Sequence, residues 1–314
     1  MVDPVLSLET VSYGGWETCH RLSNNIIDLV ITGDVGPRVI RLGFVNEENL
    51  FCEVADDLGK TLGQQWRMFG GHRFWHAPED QERTYQPDNT PVEVNECDGV
   101  IHVVQSPESA TGLQKEIDIA MSVDSTHVRI THRLVNHGMW DVTLAPWALS
   151  VMKTGGAGVV PLPPRGQHPE NLLPANTLTM WPYTDMADSR WTWGTRYILL
   201  RQDQLAKSPQ KFGAQVPDGW VAYVVDGNAF VKIFEHDNRG KYPDLGCAIE
   251  LFTNDFMLEL ETLAPLRTLE AGGTSEHTED WFVFSGVELP KGDNDVEKNL
   301  LPLVKKAKLA VGRL

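Results

Sequence analysis

Two glutamates two residues apart, Glu259 and Glu261 in the run Met257 to Leu263, form the arrangement best suited to acid–base chemistry. In an extended backbone both point the same way, while Leu258, Leu260 and Thr262 take the opposite face. Like charges facing one surface raise each other's pKa, which makes a carboxylate a usable base near neutral pH. A solvated strand face is the competing reading. It is weakened because Glu250 and Glu259 both sit in otherwise apolar runs. A second constellation is Gly70 to Pro91, GGHRFWHAPEDQERTYQPDNTP. Its H-x-x-x-H pair, His72 and His76, has a spacing that holds zinc on a helix when a glutamate follows the first histidine. Here Arg73 stands at that position, and Gly-Gly and Ala-Pro flank the pair. In an extended segment the two rings still share a face, one as a general acid or sugar contact and one as a structural histidine. Aromatics beside ionisable groups suit a polar ligand with apolar faces, such as a sugar. The whole stretch reads as a shaped loop with room for one short extended piece, too polar and too broken for a core.

Lesser signals surround these. Glu276, His277 and Glu279 before Trp281 read as a mixed-charge loop, and His236 to Asp244 as a polar, aromatic one. Trp181, Tyr183, Trp191 and Trp193 crowd one stretch; tryptophans stack on pyranose rings when exposed and fill a core when buried. No glycine-rich nucleotide loop and no nucleophile elbow occurs. No cofactor is expected. Clustered Asp, Glu and Asn side chains would allow a calcium or magnesium ion in a cleft, yet no EF-hand-like spacing is present.

The elements that must position these groups are strands. Asn25 to Thr32 and Val39 to Phe44 form a hairpin of β-branched residues, and Asp98-Gly99 joins Val92–Cys97 to Val100–Gln105. Leu113 to Val123 and Val128 to Asn136 alternate, with His132 on the apolar face of the second. Further strands are expected at Trp140–Met152, Tyr197–Arg201, Trp220–Val225, Phe230–Glu235, Cys247–Thr253, Met257–Thr262 and Trp281–Val287. A Pro/Gly-rich excursion occupies 155–176. One helix is expected at 294–309, interrupted by Pro302. More than a dozen short strands with little helix give an all-β sandwich or barrel.

The 314 residues allow one large domain or two ordinary ones, with enough chain for a sizeable core. The formal charge of −16 argues against nucleic acid or an anionic membrane as a partner. Cys19, Cys52, Cys97 and Cys247 form no CxxC pair and read as free thiols. The first residues lack a signal-peptide pattern and no long apolar run occurs, so the cytoplasm is the default expectation.

Taken in order, the pieces resemble a family. Gly36-Pro37-Arg38-Val39-Ile40 before Asn49-Leu50-Phe51, and Leu260-Glu261-Thr262 followed by Leu269, Gly272-Gly273 and His277-Thr278, are similar to the opening and closing segments of galactose mutarotase-like proteins, the aldose 1-epimerase superfamily. GGHRFWHAPE, PVEV, YPDLGCAIELFT and LELETLAPL resemble a group of uncharacterised bacterial proteins within it, the DUF4380 type. The resemblance spans roughly residues 20 to 290. It implies one β-supersandwich domain over 1–314 with a sugar cleft on its concave face and a small-molecule carbohydrate as partner. It further implies Glu261 as the base that takes the anomeric proton and His76 as the acid at the ring oxygen. Arg73, His72, Trp75, Glu259, Trp147 and Trp181 are the expected sugar contacts. The epimerases carry a second histidine in a central strand; here that strand, Leu144 to Met152, has Trp147 and no histidine. A non-catalytic sugar binder, with Trp75, Trp147 and Trp181 as stacking platforms, is therefore the alternative.

Overall fold

The computed structural model describes residues 6–313. The chain opens with β1 (Ser7–Tyr13), β2 (Trp16–Ser23), β3 (Ile27–Thr32), β4 (Arg38–Phe44) and β5 (Gly71–Ala77). Next come β6 (Glu93–Cys97), β7 (Val100–Val104), β8 (Leu113–Met121), β9 (Val128–Asn136) and β10 (Val142–Met152). Then follow β11 (Ala157–Pro161), β12 (Leu178–Met180), β13 (Trp191–Trp193), β14 (Tyr197–Arg201) and β15 (Gln210–Ala214). The last strands are β16 (Trp220–Val225), β17 (Asn228–Phe234), β18 (Ile249–Thr253), β19 (Leu258–Leu263), β20 (Arg267–Leu269) and β21 (Thr274–Ser285).

These strands make two antiparallel sheets. The first runs β1-β2-β3-β4-β5-β10-β19-β18-β15-β12, with β20 on the end of β10; the second runs β13-β14-β11-β16-β17-β21-β9-β8-β7-β6. The chain crosses between sheets several times, so both contribute to one shared apolar layer that includes Leu29, Phe51, Ile130, Leu200, Phe230, Leu260 and Trp281. Clean alternation in β8 and β9 buries every second residue, as expected for strands with one dry face. The Asp98-Gly99 turn has φ of 52° and 79°, the primed geometry that matches strand twist.

Four expectations change. Gly71–Ala77 is not merely a short extended piece of a loop outside the core but a fully buried central strand. Its polar side chains are buried because each face meets a set of polar partners, described below. The strand enters through Gly70 and Gly71 at φ of 91° and 69°; a Cβ at Gly70 would lie 2.0 Å from the Cys52 carbonyl oxygen, so only glycine fits. Residues 276–279 belong to the long strand β21 rather than a loop. The Pro/Gly-rich excursion contains the buried strand β11. Pro302 does not interrupt the terminal helix. It sits in the first turn of Leu301–Ala310, where its missing N–H is unneeded. That helix and the preceding helical turn Val296–Leu300 pack Val296, Leu300, Val304 and Ala307 onto the outer face of the second sheet. Among the described residues no helix is long and apolar enough to cross a membrane.

Candidate functional site

Strand register decides which side chains meet. Arg73 pairs across to Leu149, Leu149 to Glu261, and Glu261 to Glu250. One step along, Val151 faces Glu259, Glu259 faces Phe252, and Phe252 faces Lys211. Paired residues of antiparallel strands share a face. Arg73, Trp75, Trp147, Lys211, Glu250, Phe252, Glu259 and Glu261 therefore all project from the outer face of β5, β10, β19, β18 and β15. There they adjoin a cavity of about 250 Å³ walled by Trp66, Tyr85, Tyr183 and Phe252, with Arg73, Lys211 and Glu259 among its polar lining.

Five of these ionisable groups are at least nine-tenths buried: Arg73, Lys211, Glu250, Glu259 and Glu261. Arg73 Nη2 lies 2.9 Å from Glu259 Oε1, and its guanidinium lies over Trp75 and Trp66 at 4.2 and 5.2 Å. Lys211 Nζ is 2.6 Å from Glu250 and 3.4 Å from Glu261. It also stands over Trp147 and Trp181 at 4.9 and 4.6 Å. Trp147 donates its indole N–H to Glu261 Oε2 at 2.7 Å. Oε1 of Glu261 and Nε of Arg73 have no hydrogen-bond partner.

Burial disfavours the charged carboxylates and raises Glu250 well above its ordinary value and Glu261 to about 7, against the pull of Lys211. Burial pulls Lys211 down, but Glu250 and Glu261 outweigh it and hold the ammonium above its usual range. Glu261 itself has no exposed surface and does not line the cavity; Lys211 and Trp147 lie between. Of the three buried carboxylates Glu259 is the one that reaches the open space, where the exposed Glu79 also lines the cavity.

The histidines go elsewhere. His72 pairs with Ser150 and His76 with Pro146, so both rings leave the sheet on the side opposite Arg73 and Glu261. A His76–Glu261 acid–base pair across one cleft is thus not formed. His76 is buried, with Nδ1 unpartnered. His72 enters a polar cluster between the sheets. His132 Nδ1 donates to the His277 carbonyl at 3.0 Å, which leaves His132 Nε2 to accept from His72 Nε2 at 2.7 Å. His72 Nδ1 then accepts from the Ser150 hydroxyl at 2.9 Å. Glu279 takes Lys232 Nζ at 2.8 Å, the Trp281 indole N–H at 2.7 Å and the Thr262 hydroxyl, and Thr262 accepts from His277 Nε2 at 2.6 Å. Burial lowers His132 to about 4 and His277 to about 3, so these rings are neutral.

His72, His132 and Glu279 place ligand atoms within 4.8 Å of one another, the single such trio among the described residues. Their hydrogen bonds are already complete, and Lys232 supplies the counter-charge of Glu279, so the trio is closed as it stands. The tryptophans also differ from expectation. Trp75 and Trp147 are 5% and 2% exposed, with faces covered by Arg73 and Lys211, so neither is a free stacking platform. Trp181 adjoins the site through Lys211. Sequence reasoning missed Lys211 and Trp66, and it covered Tyr85 only as one of the aromatics of Gly70 to Pro91. The fourth wall residue, Tyr183, stood only in a crowd of aromatics.

No family model matches the sequence, and no curated protein matches it. Solved structures do. A galactose mutarotase-like protein from Lactobacillus casei aligns at a TM-score of 0.56 and 9% identity, over 85% of this chain and 100% of its own. A proposed aldose 1-epimerase from Klebsiella pneumoniae aligns at 0.59 and 12% identity, over 96% and 87%. A second galactose mutarotase-like protein, from Clostridium acetobutylicum, aligns at 0.52 and 11%, over 90% and 99%. The chain has the galactose mutarotase-like β-sandwich fold. At these identities the likeness is one of fold, and activity has to be argued from the site.

Proposed function

We propose that the outer-face cleft binds a carbohydrate, with Arg73 and Glu259 as its hydrogen-bonding floor and Trp66, Tyr85, Tyr183 and Phe252 as its walls. One observation carries this reading. Five ionisable side chains are buried together behind a single small cavity, with polar atoms left unpartnered. Desolvating a charge costs several kcal/mol even when it is paired, and a sheet face that only had to fold would be apolar or open to water. A guanidinium–carboxylate pair beside aromatic edges matches alternating hydroxyl and C–H faces of a sugar ring. The cavity volume suits one ring rather than a chain.

A second reading, an aldose 1-epimerase-like enzyme, is favoured by Glu261. A carboxyl raised to about 7 is poised to take the anomeric hydroxyl proton near neutral pH. Among the described residues no histidine lines the cleft, so the ring oxygen would be protonated by the Lys211 ammonium instead. Ring opening, rotation of the aldehyde and reclosure would then exchange the anomers.

One experiment tests both. Saturation-transfer NMR with a panel of free aldoses reads binding and mutarotation in the same samples. Binding of at least one sugar is expected, weakened about tenfold or more in Glu259→Gln, the loss of roughly one charge-assisted hydrogen bond. Accelerated mutarotation abolished in Glu261→Gln, with affinity kept, would select the enzyme. Absence of binding to any sugar would remove the carbohydrate reading.

A further inference from the structure

A larger cavity, of about 870 Å³, lies on the other sheet, over the outer faces of β9 and β21. Four arginines line it: Arg129, Arg239, Arg267 and Arg313. They come from four separate parts of the chain: β9, the segment between β17 and β18, β20, and the turn after the terminal helix. Arg129 is committed to Asp280, at 2.9 Å. Among the described residues Arg239, Arg267 and Arg313 make no ion pair, although the chain carries 43 acidic residues against 27 basic ones. In so acidic a protein, three guanidiniums meeting at one groove without carboxylate partners is an unusual distribution of charge.

The acids nearby offset them only in part. Glu276 is held by Arg133 at 2.8 Å, a guanidinium it shares with Glu116 and Asp118. Asp237 Oδ1 accepts the backbone N–H of Arg239, closing its own turn. Glu235 and Asp237 are the acids of the lining without an ion-pair partner among the described residues, two against the three arginines. Nη1 of Arg313 is buried and has no hydrogen-bond partner among the described residues. A desolvated guanidinium nitrogen in that position lacks an acceptor that folding has not supplied. Arginine forks match the oxygens of phosphate and carboxylate groups two at a time.

We propose that this groove binds a small ligand carrying two or more negative charges, as phosphate or carboxylate groups, held by Arg239, Arg267 and Arg313. The site is separate from the sugar cleft and does not depend on it. Glu235 and Asp237 in the lining disfavour extended polyanions, so the ligand is a compact molecule rather than a nucleic acid.

Isothermal titration of the full chain at low salt tests this, with inorganic pyrophosphate and citrate as probes. One equivalent of at least one probe is expected to bind with Kd below about 1 mM. The double variant Arg239→Ala/Arg267→Ala, at two exposed positions, should weaken binding by about tenfold or more. Glu259→Gln in the cleft and Arg165→Ala, an exposed residue between β11 and β12 outside the groove's lining, should leave it unchanged. Pyrophosphate alone binding assigns a phosphate ligand, and citrate alone a carboxylate one. No binding of either probe, or equal binding by the double variant, overturns the proposal.

Discussion

The two faces of the same three strands carry two buried ionic clusters built on opposite terms. On β5, β10 and β19, His72, Ser150 and Thr262 point inward while their chain neighbours Arg73, Leu149 and Glu261 point outward. The inward cluster leaves no side-chain polar atom without a partner; the outward one leaves Glu261 Oε1, Glu250 Oε1 and Arg73 Nε unpaired. A satisfied buried network fixes a packing arrangement, whereas an unsatisfied one next to a cavity holds desolvated groups ready for something from outside. The difference separates what the polar residues of this fold do for stability from what they do for a ligand.

Breaking the inward cluster should have the largest effect on folding. Lys232→Met leaves Glu279 charged, unpaired and wholly buried, and should cost about 3–5 kcal/mol in urea unfolding. A loss under about 1 kcal/mol would show that the ion pair is not what holds the sheets in register. Acid should find the same cluster next. His132 and His277 sit at about 4 and 3 in the folded chain, against 6.5 for the free side chain. The unfolded chain therefore binds more protons over that interval. The stability these rings contribute is complete above pH 6.5 and is lost as pH falls toward 4 and below. Urea midpoints measured in steps from pH 7 to pH 4 should fall steadily, and His132→Gln should flatten the slope.

Smaller changes sharpen the contrast. Ser150→Ala removes only the last donor of the histidine chain and leaves His72 Nδ1 bare, at a cost of about 1–3 kcal/mol. Glu261→Gln on the outward face should shift stability least, by about 0.5 kcal/mol or less near pH 6, because it keeps the acceptor for Trp147 and removes a carboxyl that burial already disfavours. The sign follows from the raised pKa. Stability tied to Glu261 is present below about pH 4.5 and is lost as pH rises through 7, so the glutamine variant should gain on wild type in alkali. A large loss for Glu261→Gln, equal to that of Lys232→Met, would erase the distinction between the faces.

Much of the architecture is legible in the sequence, and for local reasons. The Asp98-Gly99 turn and the alternation of β8 and β9 depend only on neighbours. The outward placement of Glu259 and Glu261 on one face follows from the period of a strand, and β19 realises it. Strand β5 was hidden because its hydrophobicity is low; partners on other strands compensate its charges, and those partners are far away in sequence. Lys211 was hidden for the same reason. Gln210–Ala214 has no apolar alternation, and the carboxylates that draw the ammonium inward are about 40 and 50 residues further on. For His132 the signal was on view: an imidazole on the dry face of an alternating strand needs a buried partner.

The position of Lys211 has a kinetic meaning. It stands between the open cavity and Glu261, held by two carboxylates and two indole faces. A ligand that stops at Arg73 and Glu259 enters an open site, and its association rate should climb in proportion to concentration. A ligand that reaches Glu261 has to wait for the ammonium to swing aside, so its rate should level off at the frequency of that opening. Stopped-flow tryptophan fluorescence, with Trp147 and Trp181 beside the moving group, would read from the shape of that curve how deep the ligand goes.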